Sequence, residues 1–287
     1  MVQETTILRR LPLMKIYGNE FNQRAIAQCL DNDIPVLLIG PAGCGKTVTA
    51  LSMADNYAEE TGAAVRYIQL SEENTKYDTI LGITLKDGSC VIANGPVADA
   101  AERGDVLVVD EFTHATHELM LAFNSLTSDK ITSVGGKTIN AHPRFRLIAC
   151  ANGNHSIGNN SIPESVESRF MILKFDYLSN AEEWQLIADR LKCDGDANMT
   201  AIHKLAIEGR TSGLPISYRN IERAHMLISF LDTIPTNSRM RAIHRLTATL
   251  PTKDISDCVI VAFGLNNLTT HRNAKEKLLA VLVHEVN

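Results

Sequence analysis

Residues 40–47 read Gly-Pro-Ala-Gly-Cys-Gly-Lys-Thr, a set of residue types and spacings suited to holding a polyphosphate. Glycines at 40, 43 and 45 permit backbone shapes and close approaches that a Cβ would block, so that successive N–H groups turn toward phosphate oxygens. Lys46 is placed to reach the β- and γ-phosphates, and the Thr47 hydroxyl to ligate Mg²⁺. Gly40, Pro41, Ala42, Gly43, Cys44, Gly45, Lys46, Thr47 and Val48 are therefore the candidate nucleotide-binding residues. The chemistry needs a strand before the loop and a helix after it, with the phosphates at the helix N-terminus. Both are predicted: Val36–Ile39 is a short apolar run, and a helical pattern runs from Thr47 onward.

Hydrolysis needs more than a cradle. The apolar run Val106–Val109 ends in Asp110-Glu111, where an aspartate can hold Mg²⁺ through its water shell and the glutamate can polarise the attacking water. The plain alternative is a strand that happens to end in two acids. Asn152, closing the run Arg146–Ala151, either holds the lytic water from the far side or serves as a turn residue. Arg169 is either a surface charge or a finger reaching a neighbouring subunit's nucleotide, and Arg219 opens a later helix from which it can meet phosphates.

The elements that must position these residues follow from periodicity. Strands are predicted at 36–39, 65–70, 106–110, 146–151 and 171–175, with helices near 47–60 and 117–126 and a short one beginning near Pro163. Strands alternating with helices imply a parallel five-stranded core covered on both faces. Residues 130–139 alternate about Gly135-Gly136, a hairpin signal. From Asn180 the pattern is helical only, in segments at 181–191, 201–209, 217–231, 237–250 and 274–286. The expected organisation is an α/β nucleotide domain over 1–178 and a small all-α lid over 179–287.

Composition narrows the class. With 45% hydrophobic and 21% charged residues the chain has the makeup of a soluble globular protein, and a net charge of −5 argues against nucleic acid as a default partner. The six cysteines include no Cys-x-x-Cys pair, so neither zinc nor a disulfide framework is indicated. No apolar run is long enough for a signal peptide or a membrane span, and a cytoplasmic location is expected.

The series GPAGCGKT, VVDEFTHA, ACANGN, ESRF and ISYRNIERA, in this order, resembles the AAA+ ATPases of the MoxR type. The stretches NGPVADAAERGDVLVVDE, AHPRFRLIACAN and SRFMILKFDY resemble the CbbQ/NorQ branch in particular. The resemblance covers about residues 30–285. It implies ATP and Mg²⁺ as cofactors and a homo-oligomeric, usually hexameric, ring with nucleotide between subunits. It makes Asn152 sensor 1, Arg169 the trans-acting finger and Arg219 sensor 2. It makes residues 79–96 a helix-2 insertion loop facing the pore and the Gly135-Gly136 hairpin the pre-sensor-1 hairpin. The implied activity is ATP-driven, chaperone-like remodelling or activation of a client, in which sheet domain and lid rock against each other, with a von Willebrand factor A domain protein as adaptor. The alternatives are the ATPase subunit of a metal chelatase and a nucleotide-gated assembly module with little turnover. Two features depart from the branch pattern: Thr113-His114 stand where many relatives carry Asn-Arg, and the stretch 153–165 is long and rich in Gly and Asn, closer to the cobaltochelatase small-subunit (CobS-like) type.

Other candidates carry less. His114 and His117 are three apart but have no third metal ligand nearby, and solvated histidines at a helix start are expected. Cys44 reads as a tolerated residue at a variable loop position, the alternative being a thiol activated by Lys46 and the helix N-terminus. Arg144 and Arg146 are ordinary strand-edge charges, with a second trans-acting arginine as the rarer reading, and the lone Trp184 is a packing residue.

Overall fold

The computed structural model describes residues 6–7, 15–86, 89–153, 162–192, 197–211, 214 and 216–233. In chain order the elements are β1 (Thr6–Ile7), α1 (Glu20–Asp31), β2 (Val36–Gly40), α2 (Lys46–Thr61), β3 (Val65–Gln69), α3 (Lys76–Thr79), β4 (Leu81–Lys86), β5 (Ser89–Asn94), α4 (Pro96–Arg103) and β6 (Val106–Asp110). A 3₁₀ turn (Phe112–His114) leads to α5 (His117–Ser128), β7 (Ile131–Val134), β8 (Lys137–Asn140), β9 (Arg146–Asn152), α6 (Glu164–Glu167) and β10 (Met171–Lys174). Three helices come next: α7 (Asn180–Leu191), α8 (Ala197–Thr211) and α9 (Tyr218–Thr233).

The main sheet has the order β1-β3-β6-β9-β2-β10. Its last five strands are parallel, and β1 pairs antiparallel with β3 at the edge. Val106–Val109 are fully buried, as are Val36, Leu37 and Leu38. Such unbroken apolar runs are what strands covered on both faces require. Alternate residues serve opposite layers. Leu107, Val109, Leu37 and Ala149 join Val97 and Ala101 of α4 and Leu119 and Phe123 of α5 in one core. Helix α2 lies against β2, β6 and β9, and α1 against α2.

The five predicted core strands are all present, within a residue or two of their expected ends. Gly135 (φ 56°) and Gly136 (φ 78°) join β7 to β8, the left-handed pair that a two-residue hairpin turn demands. Pro163 precedes α6 as its N-cap instead of sitting in its first turn. Within the expected insertion at 79–96, Leu81–Lys86 and Ser89–Asn94 pair as the antiparallel β4 and β5; the Asp87-Gly88 dipeptide between alternating segments is the sequence signal for this ribbon. Helix α4 also escaped the periodicity reading. Its Pro96 start and its left-handed Gly104 end are the usual helix boundaries. The segments 237–250, 274–286 and 154–161 lie outside the described residues.

The chain divides into two compact units, one of Met1–Pro41 with Gly45–Asp176, the other of Ala42–Cys44 with Tyr177–Asn287. In the second unit Ser179 and Glu182 form a capping box that starts α7, and Ile187, Ile202, Leu205, Ile221 and Ala224 are buried. Glu183 of α7 is buried with them at 2% exposure. Arg210 of α8 meets it through two guanidinium bonds of 2.8 and 2.7 Å, and His203 Nε2 lies 3.1 Å from its Oε2. Burial pushes the Glu183 carboxyl up, but hydrogen bonds from His203 and Arg210 and the charge of Arg210 outweigh it and hold the group below the ordinary glutamate value. A carboxyl depressed in the fold contributes stability above its unfolded value, near pH 4.3, and that contribution is lost as pH falls through the folded value. Glu183→Ala leaves Arg210 and His203 without their carboxylate and is expected to cost about 3–5 kcal/mol at pH 7. Trp184 packs on His203 with ring centroids 5.3 Å apart, so urea unfolding followed by the single tryptophan reports on this unit. As pH falls below about 4 the wild type should lose more midpoint than the variant; equal midpoints for both at pH 7 would remove the network from the stability account.

Candidate nucleotide site

The phosphate-binding loop is built by close approach and left-handed backbone. A Cβ at Gly40 would collide with the carbonyl oxygen of Phe175. Gly43 (φ 77°) and Gly45 (φ 94°) take conformations that L side chains resist, and Gly45 caps α2, which begins at Lys46. The first N–H groups of a helix have no partner within it and carry the positive end of its dipole, so the loop is suited to meet an anion with donors.

Lys46 is buried at 6% exposure. Its Nζ donates to Gly40 O (2.9 Å), Pro41 O (2.8 Å) and Asn152 Oδ1 (3.2 Å). The Thr47 hydroxyl donates to Asp110 Oδ2 (2.8 Å). The Tyr67 hydroxyl donates to the same oxygen (3.3 Å), and the Glu111 backbone N–H donates to Asp110 Oδ1 (3.0 Å). Asn152 Nδ2 donates to Glu111 Oε2 (2.8 Å). Lys46, Thr47, Asp110, Glu111 and Asn152 thus form one connected cluster at the carboxyl ends of β2, β6 and β9.

The strand order makes this possible. Strand β9 lies between β2 and β6, with Asn152 in register with Gly40. Its amide therefore faces the loop on one side and Glu111 on the other. Glu111 is itself left-handed (φ 54°), a conformation that costs about 1–2 kcal/mol in a non-glycine residue. The next residue anchors this strained backbone: Phe112 is fully buried, with ring centroids 5.7 Å from Phe123 and 5.8 Å from Phe170. Backbone strain of this kind concentrates at functional sites.

The donor set fits Mg²⁺, a hard cation that takes few protein oxygens and completes its shell with water and phosphate. Thr47 and Asp110 supply a hydroxyl and a carboxylate beside the loop. Burial, and then the charge of Asp110, push the Tyr67 phenol well above its ordinary value, so that it remains a donor.

The other candidates fall elsewhere. Arg169 comes just after α6 with an exposed side chain, donates to Ser165 O (3.1 Å), and makes no hydrogen bond to the cluster. Arg219 is exposed in the first turn of α9 in the second unit. Arg146 is bound within its own chain, donating to Leu30 O and to Asp33 Oδ1 (3.0 Å) and stacking over Tyr57. Arg144 donates to Thr61 O (3.1 Å). Cys44 is buried at 5% exposure. His117 is exposed at the start of α5, as expected. His114 is not on that helix: Thr116 caps α5, and His114 sits in the 3₁₀ turn with Nε2 3.8 Å from Glu111 Oε2 and Nδ1 3.9 Å from Glu72 Oε1. No group of three or more metal-binding side chains is assembled among the described residues.

Two neighbours of the cluster were not visible in sequence. Tyr67 lies on β3, and only the β3–β6 register, Tyr67 beside Val108, puts it next to Asp110. His114 owes its place to the tight turn after Glu111, for which no motif stands.

Residues 35–170 match the AAA domain (dynein-related subfamily), a span that includes every member of the cluster and Arg169 but not Arg219. The chain is similar to Protein NorQ of Paracoccus denitrificans, 29% identical over 186 residues, or 64% of this chain and 66% of that protein. It is similar to Protein CbbQ of Hydrogenophilus thermoluteolus, 24% identical over 207 residues, covering 71% of this chain and 75% of that one. Denitrification regulatory protein NirQ of Stutzerimonas stutzeri is 25% identical over 186 residues, again 64% and 66%. These are relatives of the branch that the motifs resemble. Over residues 35–170, which hold the whole cluster, the chain is thus similar to the AAA domain (dynein-related subfamily), and it is similar to NorQ, CbbQ and NirQ.

Proposed function

We propose that the protein is an ATP-hydrolysing, MoxR-type ring motor that remodels or activates a partner protein. The observation that carries this reading is the Asn152 side chain, which links the lysine of the phosphate loop to the glutamate placed to activate water. In this reading residues 1–178 are the nucleotide domain and 179–287 the lid. Lys46 and the N-terminal amides of α2 hold the β- and γ-phosphates, and Thr47 and Asp110 hold Mg²⁺. Held there, Mg²⁺ would supply charge compensation for the phosphates. Glu111 takes a proton from water as it attacks the γ-phosphorus, ADP leaves, and inorganic phosphate is the second product. Asn152 aligns Glu111 and senses the γ-phosphate. Arg169, free of the cluster in its own chain, reaches the nucleotide of the next subunit, and Arg219 acts as sensor 2.

A site completed by a neighbour's arginine calls for a closed ring, and six subunits is the number that the family resemblance implies. The client is engaged through an adaptor with a von Willebrand factor A domain. Nucleic acid is not the substrate, in keeping with the net charge of −5. Among the described residues no helix is long and apolar enough to cross a membrane, and work in the cytoplasm suits cysteines 29, 44 and 150, which are buried without disulfides.

Light scattering on Glu111→Gln with and without Mg-ATP tests the ring. An assembly near six subunits that is stabilised by ATP is expected. A monomer under both conditions would leave Arg169 without a nucleotide to reach, and the motor reading would fall.

A further inference from the structure

We propose that Tyr67 is a positioning residue for the metal-holding carboxylate, fixing Asp110 from the neighbouring strand. The inference rests on the reading of Asp110 as the Mg²⁺ residue.

The geometry is set by the sheet. Strands β3 and β6 are parallel, with Tyr67 beside Val108 and Gln69 beside Asp110. Residues in register share a face, and so do residues two apart on one strand. Tyr67 is thus on the face of Asp110 but one pleat lower, roughly 6.6 Å along the strand. A serine or threonine at 67 could not span that step. A phenol can, and its hydroxyl donates to Asp110 Oδ2 at 3.3 Å.

That bond completes a set of three. Oδ2 also accepts from Thr47, and Oδ1 accepts the Glu111 N–H. The three donors come from β3, from the first turn of α2 and from the backbone after β6. Each restrains the carboxylate from a different direction. The Thr47 bond involves a group that must also serve the ion, and the Glu111 bond depends on a strained residue with φ 54°. Among the described residues, Tyr67 alone restrains Asp110 from a strand that carries none of the loop, the base or the sensor. It therefore holds the carboxylate's orientation whatever Thr47 and Glu111 are doing.

Partners that orient a metal-holding group typically contribute 10–100-fold to metal affinity. Tyr67→Phe keeps the ring and removes the hydroxyl. We expect Mn²⁺, counted by electron paramagnetic resonance on the full-length protein with saturating ADP, to bind roughly tenfold more weakly to Tyr67→Phe. In turnover, the Mg²⁺ concentration for half-maximal rate should rise by a similar factor, with KM for ATP at saturating Mg²⁺ unchanged. Asp110→Asn should weaken Mn²⁺ more, and adding Tyr67→Phe to Asp110→Asn should have no further effect, because the hydroxyl acts through the carboxylate. Thermal unfolding of Tyr67→Phe near wild type would confirm that the strand is intact. Unchanged Mn²⁺ affinity in Tyr67→Phe, beside a weakened Asp110→Asn, would overturn the proposal. Full Mn²⁺ affinity in Asp110→Asn would overturn it too, by removing the reading of Asp110 on which it rests.

Discussion

Arg169→Ala is expected to lower ATP turnover by ~10³–10⁵-fold while leaving nucleotide binding to each chain nearly unchanged. The expectation comes from what Arg169 does not touch. Its guanidinium is exposed and donates to Ser165 O in α6, with no bond to the cluster among the described residues, while the residues proposed for catalysis are bonded to one another without it. A charge so placed acts on a neighbour or on nothing. Mixing separates the two. Arg169→Ala and Glu111→Gln subunits are each inactive alone, but a mixed ring contains interfaces that pair an intact Arg169 with an intact Glu111. Partial recovery of turnover on mixing would establish action in trans. Full activity of Arg169→Ala alone would return the residue to the status of a surface charge.

Glu111→Gln is expected to reduce turnover by ~10²–10⁴-fold with nucleotide still bound. Glutamine is isosteric and can still meet the Asn152 side chain after an amide rotation, so the cluster and the strained backbone at 111 should survive. What is lost is the group that accepts the proton of the attacking water. Single-turnover measurement with bound ATP isolates the chemical step and is the suitable check. If that rate matches wild type, the base lies elsewhere, and the nearness of His114 to Glu111 at 3.8 Å makes His114 the next residue to replace.

Much of the site was legible because its parts are local. The loop from Gly40 to Thr47 is one turn between a strand and a helix, and its glycines, lysine and threonine fall within eight consecutive residues. The Asp110-Glu111 pair is marked by the four apolar residues before it. The Gly135-Gly136 hairpin is a property of two adjacent backbone angles. The insertion at 79–96 came from family likeness, while the pairing of β4 with β5 inside it has a local signal in the alternation about Asp87-Gly88. Neither the place of Arg146 in a pocket of Leu30, Asp33 and Tyr57 nor the displacement of His114 from α5 has a local signature.

By itself the amino-acid sequence pointed to a polyphosphate loop at Lys46 and Thr47, to acids closing a buried strand, and to an α/β unit ahead of helices. Periodicity, turn chemistry and capping act over a few residues, and their cost is settled wherever those residues lie. Only the tertiary structure decided that β9 runs between β2 and β6. That order brings Asn152 within 3.2 Å of a lysine 106 residues away and lets the same side chain hold Glu111. It decided as well that Tyr67 stands beside Asp110. Strand order depends on how all the helices cover both faces of the sheet at once, a collective burial problem in which no short segment holds the answer.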